Sequence, residues 1–515
     1  MRRLATPIAR FSIALAIATT ALVIAALLST SLAPADDTAV GGMGGSVYPI
    51  RNTDIRLDQE TVQAVVYGDF AEYLVEFHFV NDGLAQNVML GFPFAVTTDR
   101  GSGRTTGPVS AFQAWQDGRP LKVTVGRSLS QDQETADQVG YFLHRGSFPA
   151  GPSTVTVRYL ARPSFSAGSR FYELAPPDFA GLSSWFSWHS YWLHTGSTWR
   201  GTIGKAVVRY GLADSFFGWG ADLTTEDVGG DQQYALTSPP TYTMPDERTF
   251  QWAFADFEPV LVENEKWWEA SPYDIRLVFS QPLVNPKNAN FWRALDRVAM
   301  IADTTASSFL QSKRTVGGDD LLHAPGQAVG DPGTSWAEGA PDAGVGERLR
   351  FTFVTAGPLR EVRIVPGDVE TLDSFTEHGR PKTLRLKLAG GSSTLMHLAD
   401  EPSVQRFAVQ GDGAWAELEI VKSYPGTADN DTYIASVEFG RETAPAFLPF
   451  AELIEAPAKN PSPAAVSAAG ASTTEAATVT TGGESTGGAP QSTDLATSST
   501  LQWWIGPAAD RKSVV

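Results

Sequence analysis

Glu347-Arg348-Leu349-Arg350-Phe351-Thr352-Phe353 decides the fold. Leu349, Phe351 and Phe353 alternate with polar residues, the period of a strand with one buried face. Just upstream runs Thr334-Ser335-Trp336-Ala337-Glu338-Gly339, followed by Gly344-Val345-Gly346-Glu347. A Gly-rich loop with one large aromatic and two acids, held on a β-scaffold, is a place to meet a ligand. The stretch points to a binding module more than to a catalytic one.

The same pattern recurs on both sides. Downstream, Leu359–Ile364, Thr383–Leu388, Gln405–Val409, Ala414–Val421 and Tyr433–Phe439 read as strands, separated by loops rich in Gly, Asp and Pro. Residues 305–442 are thus expected to form an antiparallel sandwich of jelly-roll type. Upstream, Thr61–Val66 and Glu72–Val80 form a paired set about a Gly68-Asp69 turn, with Tyr73, Val75, Phe77 and Phe79 on one face. Further runs at Leu121–Val125, Thr154–Tyr159, Lys205–Tyr210 and Asp274–Phe279 predict a first antiparallel sandwich over residues 46–285. Phe291, Leu295, Val298 and Ala302 fall near helical spacing, so residues 286–304 read as a linker or one short helix. The expected fold class is all-β, with two antiparallel β-sandwich domains and a disordered C-terminal tail.

Residues 1–35 have the layout of a secretory signal: basic Met1-Arg2-Arg3, an apolar run, and Ala33-Pro34-Ala35 before two acids. The alternative is an uncleaved anchor, the one route to a membrane that the sequence offers. Both place the rest of the chain outside the cytoplasm. Residues 457–515 turn to Ala, Ser, Thr, Gly and Pro, which cannot bury enough surface to offset the entropy of ordering. Without any cysteine, disulfide staples and thiolate chemistry are excluded. The fold must then rest on apolar burial, for which 515 residues at 42% hydrophobic content suffice. Acids number 57 against 39 bases, which argues against nucleic acid and anionic lipid as partners.

Catalytic signatures are missing. There is no H-E-x-x-H, P-loop, dinucleotide-type glycine motif or G-x-S-x-G elbow, and the seven histidines form no spaced ligand cluster. Glu265 and Glu269, flanking Trp267-Trp268, are the first candidates for a glycosidase pair, or else lie in a solvated loop. Trp185, Trp188, Trp192 and Trp199 crowd one stretch and read as packing more readily than as sugar platforms.

Two resemblances follow. His194-Thr195-Gly196-Ser197-Thr198-Trp199-Arg200-Gly201-Thr202-Ile203, with Asp54-Ile55-Arg56-Leu57 and Gly91-Phe92-Pro93-Phe94, resembles exported bacterial β-domains of unknown function. Gly330-Asp331-Pro332-Gly333 through Glu347, with Arg380-Pro381-Lys382, Ser423-Tyr424-Pro425-Gly426 and Asp431-Thr432-Tyr433-Ile434, resembles the NADase-type glycan-binding domain, a discoidin-like jelly roll. That resemblance implies glycan binding and no NAD hydrolysis. Ser436 stands where the family has a carboxylate that helps to hold calcium, which leaves metal binding open.

The candidate ligand residues are Asp331, Thr334, Trp336, Glu338, Glu347 and Arg380. Trp336 is either a sugar platform or the plug at the end of the jelly roll. Glu338 and Glu347 either accept sugar hydroxyls or tie loops to backbone N–H groups. Arg380 offers its fork to a ligand or to a structural salt bridge, and Asp331 braces its own turn. No cofactor is expected. The expected function is an exported, non-catalytic protein that binds a glycan, with an interaction component of the cell envelope as the alternative and a glycoside hydrolase behind it.

Overall fold

The computed structural model of the protein describes residues 38–43, 46–49, 54–98, 105–106, 109–127, 138–167, 184–217, 222–223, 237, 239–258, 272–282, 298–311 and 323–461. The signal-like segment, Glu265, Glu269 and the chain beyond 461 lie outside these residues, and among them no helix is long and apolar enough to cross a membrane. The described chain is all-β.

The first region is built on β1 (Ile55–Val66), β2 (Ala71–Asn81), β3 (Gln86–Thr98), β4 (Val109–Gln116), β5 (Gln138–Phe148) and β6 (Gly151–Ala161). β7 (Ser184–Tyr191), β8 (Ile203–Leu212), β9 (Thr249–Phe257) and β10 (Ile275–Pro282) complete it. An eight-stranded sheet carries β9, β8, β1, β2, β6 and β4 side by side, between edge strands Thr243–Asp246 and Arg119–Pro120. β3 and β5 anchor a second sheet, and β7 and β10 a third. The expected Tyr73, Val75, Phe77 and Phe79 face is fully buried. Trp199 joins it against Phe79, so that part of the Trp-rich stretch is packing. Two pairings depart from the antiparallel expectation: β8 runs parallel to β1, with Val208 opposite Val62, and strand Ser46–Pro49 runs parallel to strand Thr124–Arg127, with Ser46 opposite Arg127. Parallel neighbours need a long crossover, which the intervening strands supply.

The second region opens earlier than expected. Ile301–Ala306 is a strand, β11, laid antiparallel on β13, so the end of the supposed linker helix is β-structure. A lone helical turn here would be marginal in water, whereas a strand gains the hydrogen bonds of a neighbouring ladder. β12 (Trp336–Ala337), β13 (Arg348–Pro366), β14 (Arg380–Leu388), β15 (Ser393–His397), β16 (Gln405–Tyr424) and β17 (Tyr433–Gly440) follow. The sheet path is β12-β17-β13-β16-β14-β15, with β11 on β13. Leu349–Phe353 and Leu359–Ile364, two strands by sequence, are one bent strand, as are Gln405–Val409 and Ala414–Val421. Register shifts between Thr352 and Gly357 mark the bend. The first halves of the long strands thereby serve a different layer from the second halves. Trp336, Leu349, Phe351, Leu384, Leu386, Leu418, Ile434 and Val437 fill the core between them.

One outer face of this domain is covered by the first region. Val65, Tyr67, Phe70 and Leu160 pack on Val365, Val369, Phe375 and Val404. At the same seam Arg363, 2% exposed, lies 2.7 Å from Asp214 Oδ1 and 2.7 Å from Glu361 Oε2, with Glu438 at 3.7 Å. The chain then straps back across the first region. Gln63 and Leu448 exchange two hydrogen bonds, and the Asn460 amide pairs with both backbone groups of Ala255.

Candidate functional site

The Gly330–Glu347 loop is held from inside. Trp336 is 0% exposed, and its Nε1 donates to Ser308 O at 3.1 Å. The indole is thus the plug, and it presents no face to a sugar; the platform reading of Trp336 is corrected by its burial. Glu338, also 0% exposed, accepts from the backbone N–H of Ala340 at 2.7 Å and of Thr432 at 3.1 Å. It bridges the loop to the start of β17, so its carboxylate is spent on backbone donors. Burial pushes it up to about 7, against the pull of those two donors. Gly344 (φ +66°) is required here, since a Cβ would meet Glu338 Cγ at 2.4 Å.

The other candidates are likewise engaged. Glu347 accepts from Ser308 Oγ at 2.6 Å and from Ser307 Oγ. Arg380 forms a two-pronged pair with Asp400 at 2.6 and 2.8 Å and lies over the Phe375 ring. Asp331 caps its own turn through Gly333 N at 2.8 Å and takes Arg162 of the first region at 2.8 Å. The Thr334 hydroxyl lies 3.0 Å from both Gln327 O and Asp331 O. Asp331, Thr334, Trp336, Glu338, Glu347 and Arg380 therefore build the loop end rather than gathering into one ligand-facing cluster.

What they hold up is a different group. At the start of β17, the Tyr433 ring carries the His378 imidazole stacked on it at 4.5 Å and the His323 ring edge-on at 5.3 Å. His378 Nδ1 is 2.8 Å from Asp429 Oδ2, and both side chains are part-exposed, 24% and 38%. Asp429 Oδ1 has no hydrogen-bond partner among the described residues. Asp431 lies alongside, pushed up by burial and by Asp429 and pulled back by His378. Burial raises the Tyr433 phenol, and the surrounding carboxylates Asp429, Asp368, Asp431 and Glu338 raise it further. The arrangement offers two part-exposed imidazoles flanking a buried Tyr433 ring, and a carboxylate whose Oδ1 is buried without a partner among the described residues. Groups of this kind meet sugar hydroxyls and C–H faces, or ordered water. Among the described residues no group of acids and histidines could hold a metal ion, and Ser436 Oγ donates to Gly330 O at 3.1 Å instead.

Sequence reasoning missed this cluster because His323, His378, Asp429 and Tyr433 are scattered through the chain. Tyr433 and Asp431 lay within the quoted closing segment, which was the one available signal.

Residues 298–440 match the family described as the NAD glycohydrolase translocation F5/8 type C domain. The C-terminal region thus resembles a discoidin-like domain. Among solved structures, the chain is similar to a nutrient-binding protein, described as putative, from Legionella pneumophila subsp. pneumophila str. Philadelphia 1 (16% identity, 47% of this chain and 72% of that one, TM-score 0.32). It is also similar to a family 32 carbohydrate-binding module from C. perfringens NanJ, solved with galactose (14% identity, 28% and 97%, TM-score 0.21). A third is a pectin-binding carbohydrate-binding module (15% identity, 28% and 96%, TM-score 0.21). No curated protein matches the chain.

Proposed function

We propose that this chain is an exported, non-catalytic binding protein whose C-terminal domain recognises carbohydrate. The ligand sits at the loop end, against the part-exposed His323 and His378 imidazoles that flank the buried Tyr433 ring, with the Asp429 carboxylate accepting a sugar hydroxyl. The observation that carries this reading is the part-exposed His378–Asp429 pair on the Tyr433 ring, with Asp429 Oδ1 unmet beside it. Buried acceptors without partners are rare in folded proteins and call for a ligand or water. The discoidin-like family match supports a binding role for the domain over a catalytic one. Shallow loop-built sugar sites bind weakly, so tethering at the envelope would raise effective affinity. The first domain serves as the scaffold that fixes the jelly roll.

A second reading is an interaction component of the envelope that binds protein. A broad neutral-glycan panel probed with the full chain and with Asp429→Ala separates the two. Binding that Asp429→Ala abolishes supports the lectin-like reading. A folded chain that binds no glycan, yet retains an envelope partner in pull-downs, replaces it with the second.

A further inference from the structure

The jelly roll has a second outer face, formed by β11, β13, β16, β14 and β15, that nothing in the described chain covers. Its register sets residues in cross-strand rows. One row runs Asp303, Thr352, Trp415; the next runs Thr305, Arg350, Glu417, Lys387, Ser393; the third runs Arg348, Glu419, Arg385, Leu395. A fourth brings Lys422, Thr383 and His397 together. Leu349, Phe351, Leu384, Leu386, Ala416 and Leu418, which alternate with these, point into the core.

The charge on this face runs against the rest of the chain. Arg348, Arg350, Arg385, Lys387 and Lys422 stand against Asp303, Glu417 and Glu419, whereas the chain as a whole has a formal charge of −18. The two glutamates are already held, Glu419 by Arg385 at 2.6 Å and Lys387 at 2.7 Å, and Glu417 by Lys387 at 3.8 Å and Arg350 at 3.9 Å. Arg348 is exposed, with its side chain in none of these pairs. The Arg350 guanidinium lies 3.9 Å from the centre of the part-buried Trp415 ring. A guanidinium beside an indole joins a carboxylate-binding fork to an apolar plane. A sugar ring bearing a carboxylate presents the matching pair of surfaces, and an acidic peptide or a lipid headgroup lacks the flat C–H face.

We propose that this sheet face is a second contact surface, taking an extended polysaccharide whose sugars carry carboxylates, with Trp415 and Arg350 receiving one uronate ring and Arg348, Lys387 and Lys422 its neighbours. The inference rests on the reading of the domain as a carbohydrate module, and it adds both a separate surface and the anionic class of ligand. A face of paired strands is held in place by its ladder and spans several cross-strand rows, which suits a polymer more than a single small sugar.

The test uses the full chain in affinity electrophoresis through polygalacturonate, neutral dextran and poly-glutamate, at low and raised salt. Expected is retardation by polygalacturonate alone, weakened by salt. Arg348→Glu and Trp415→Ala should each reduce it by roughly tenfold, the scale of one lost bond to a charged group. Lys387→Gln is the milder variant should Trp415→Ala disturb the fold, and Asp429→Ala should leave the retardation unchanged. Equal retardation by poly-glutamate, retention that survives Arg348→Glu and Lys387→Gln, or no retardation by polygalacturonate overturns the proposal. Loss through Asp429→Ala instead would return the anionic ligand to the loop end. Neutral-glycan binding at the loop end is read separately, so its failure is distinguishable.

Discussion

The two outer faces of the jelly roll carry the same chemistry in opposite surroundings. On the covered face Arg363 meets Asp214, Glu361 and Glu438 with almost no access to water. On the open face Arg350, Arg385 and Lys387 meet Glu417 and Glu419 in part-exposed pairs. Burial turns an arginine into a fixed structural element, because removing one partner strands several charges without water. Exposure leaves similar pairs worth little to folding and available to something outside. The difference teaches that a charged network is informative about function only once its solvent access is known.

The largest test of that contrast is Arg363→Ala. It leaves Asp214 and Glu438 buried without their cation, while Glu361 keeps Arg406 at 3.0 Å, and should cost about 3–5 kcal/mol, read as a lowered denaturation midpoint. Trp336→Ala should cost about 3–5 kcal/mol or somewhat less through the cavity it opens. Glycan binding lost in that variant would therefore report unfolding, so near-ultraviolet dichroism must accompany it. A full-stability Trp336→Ala chain would contradict its role as plug.

A smaller effect is expected from pH. Asp69 sits at the seam near Glu438 and Asp331, and burial with those two charges pushes it up to about 7. A carboxyl raised in the folded state favours folding below its unfolded value of about 4, and that contribution is lost as pH rises through about 7. Glu338 acts in the same direction within the loop end. Asp69→Asn should flatten the fall in thermal midpoint between about pH 4 and 7, and an unchanged slope would show that Asp69 does not carry it. The smallest effect is on the open face. Glu419→Ala should change stability by at most about 1 kcal/mol, and a loss as large as that of Arg363→Ala would erase the contrast between the faces.

Much of the fold was legible because alternation is a local signal. Tyr73 to Phe79 and Leu349 to Phe353 each announce one buried face within a few residues. The bend that makes one strand of Leu349–Phe353 and Leu359–Ile364 was not legible, since Thr355, Gly357 and Pro358 read as a break. The strand at Ile301–Ala306 was hidden because its stability comes from β13, where Ile301 pairs with the distant Phe353. The seam and the strap were unreadable for the same reason: Arg363 with Asp214, and Gln63 with Leu448, are pairings that only the folded chain brings about. At the site, the sequence left each residue of the loop open between a ligand-facing and an inward role. Trp336, Glu338 and Arg380 are bound inward, as the bulk of a Trp and the unmet donors of a tight turn require. The rings they support, at His323, His378 and Tyr433, carry no spacing that a reader could join.

The most direct measurement is titration of the full chain, beside Asp429→Ala, with a neutral glycan selected from the panel. The account predicts saturable wild-type binding, roughly tenfold weaker in Asp429→Ala, with the thermal midpoint of the two chains alike. Equal binding by both, or no glycan bound by a folded wild-type chain, would contradict it.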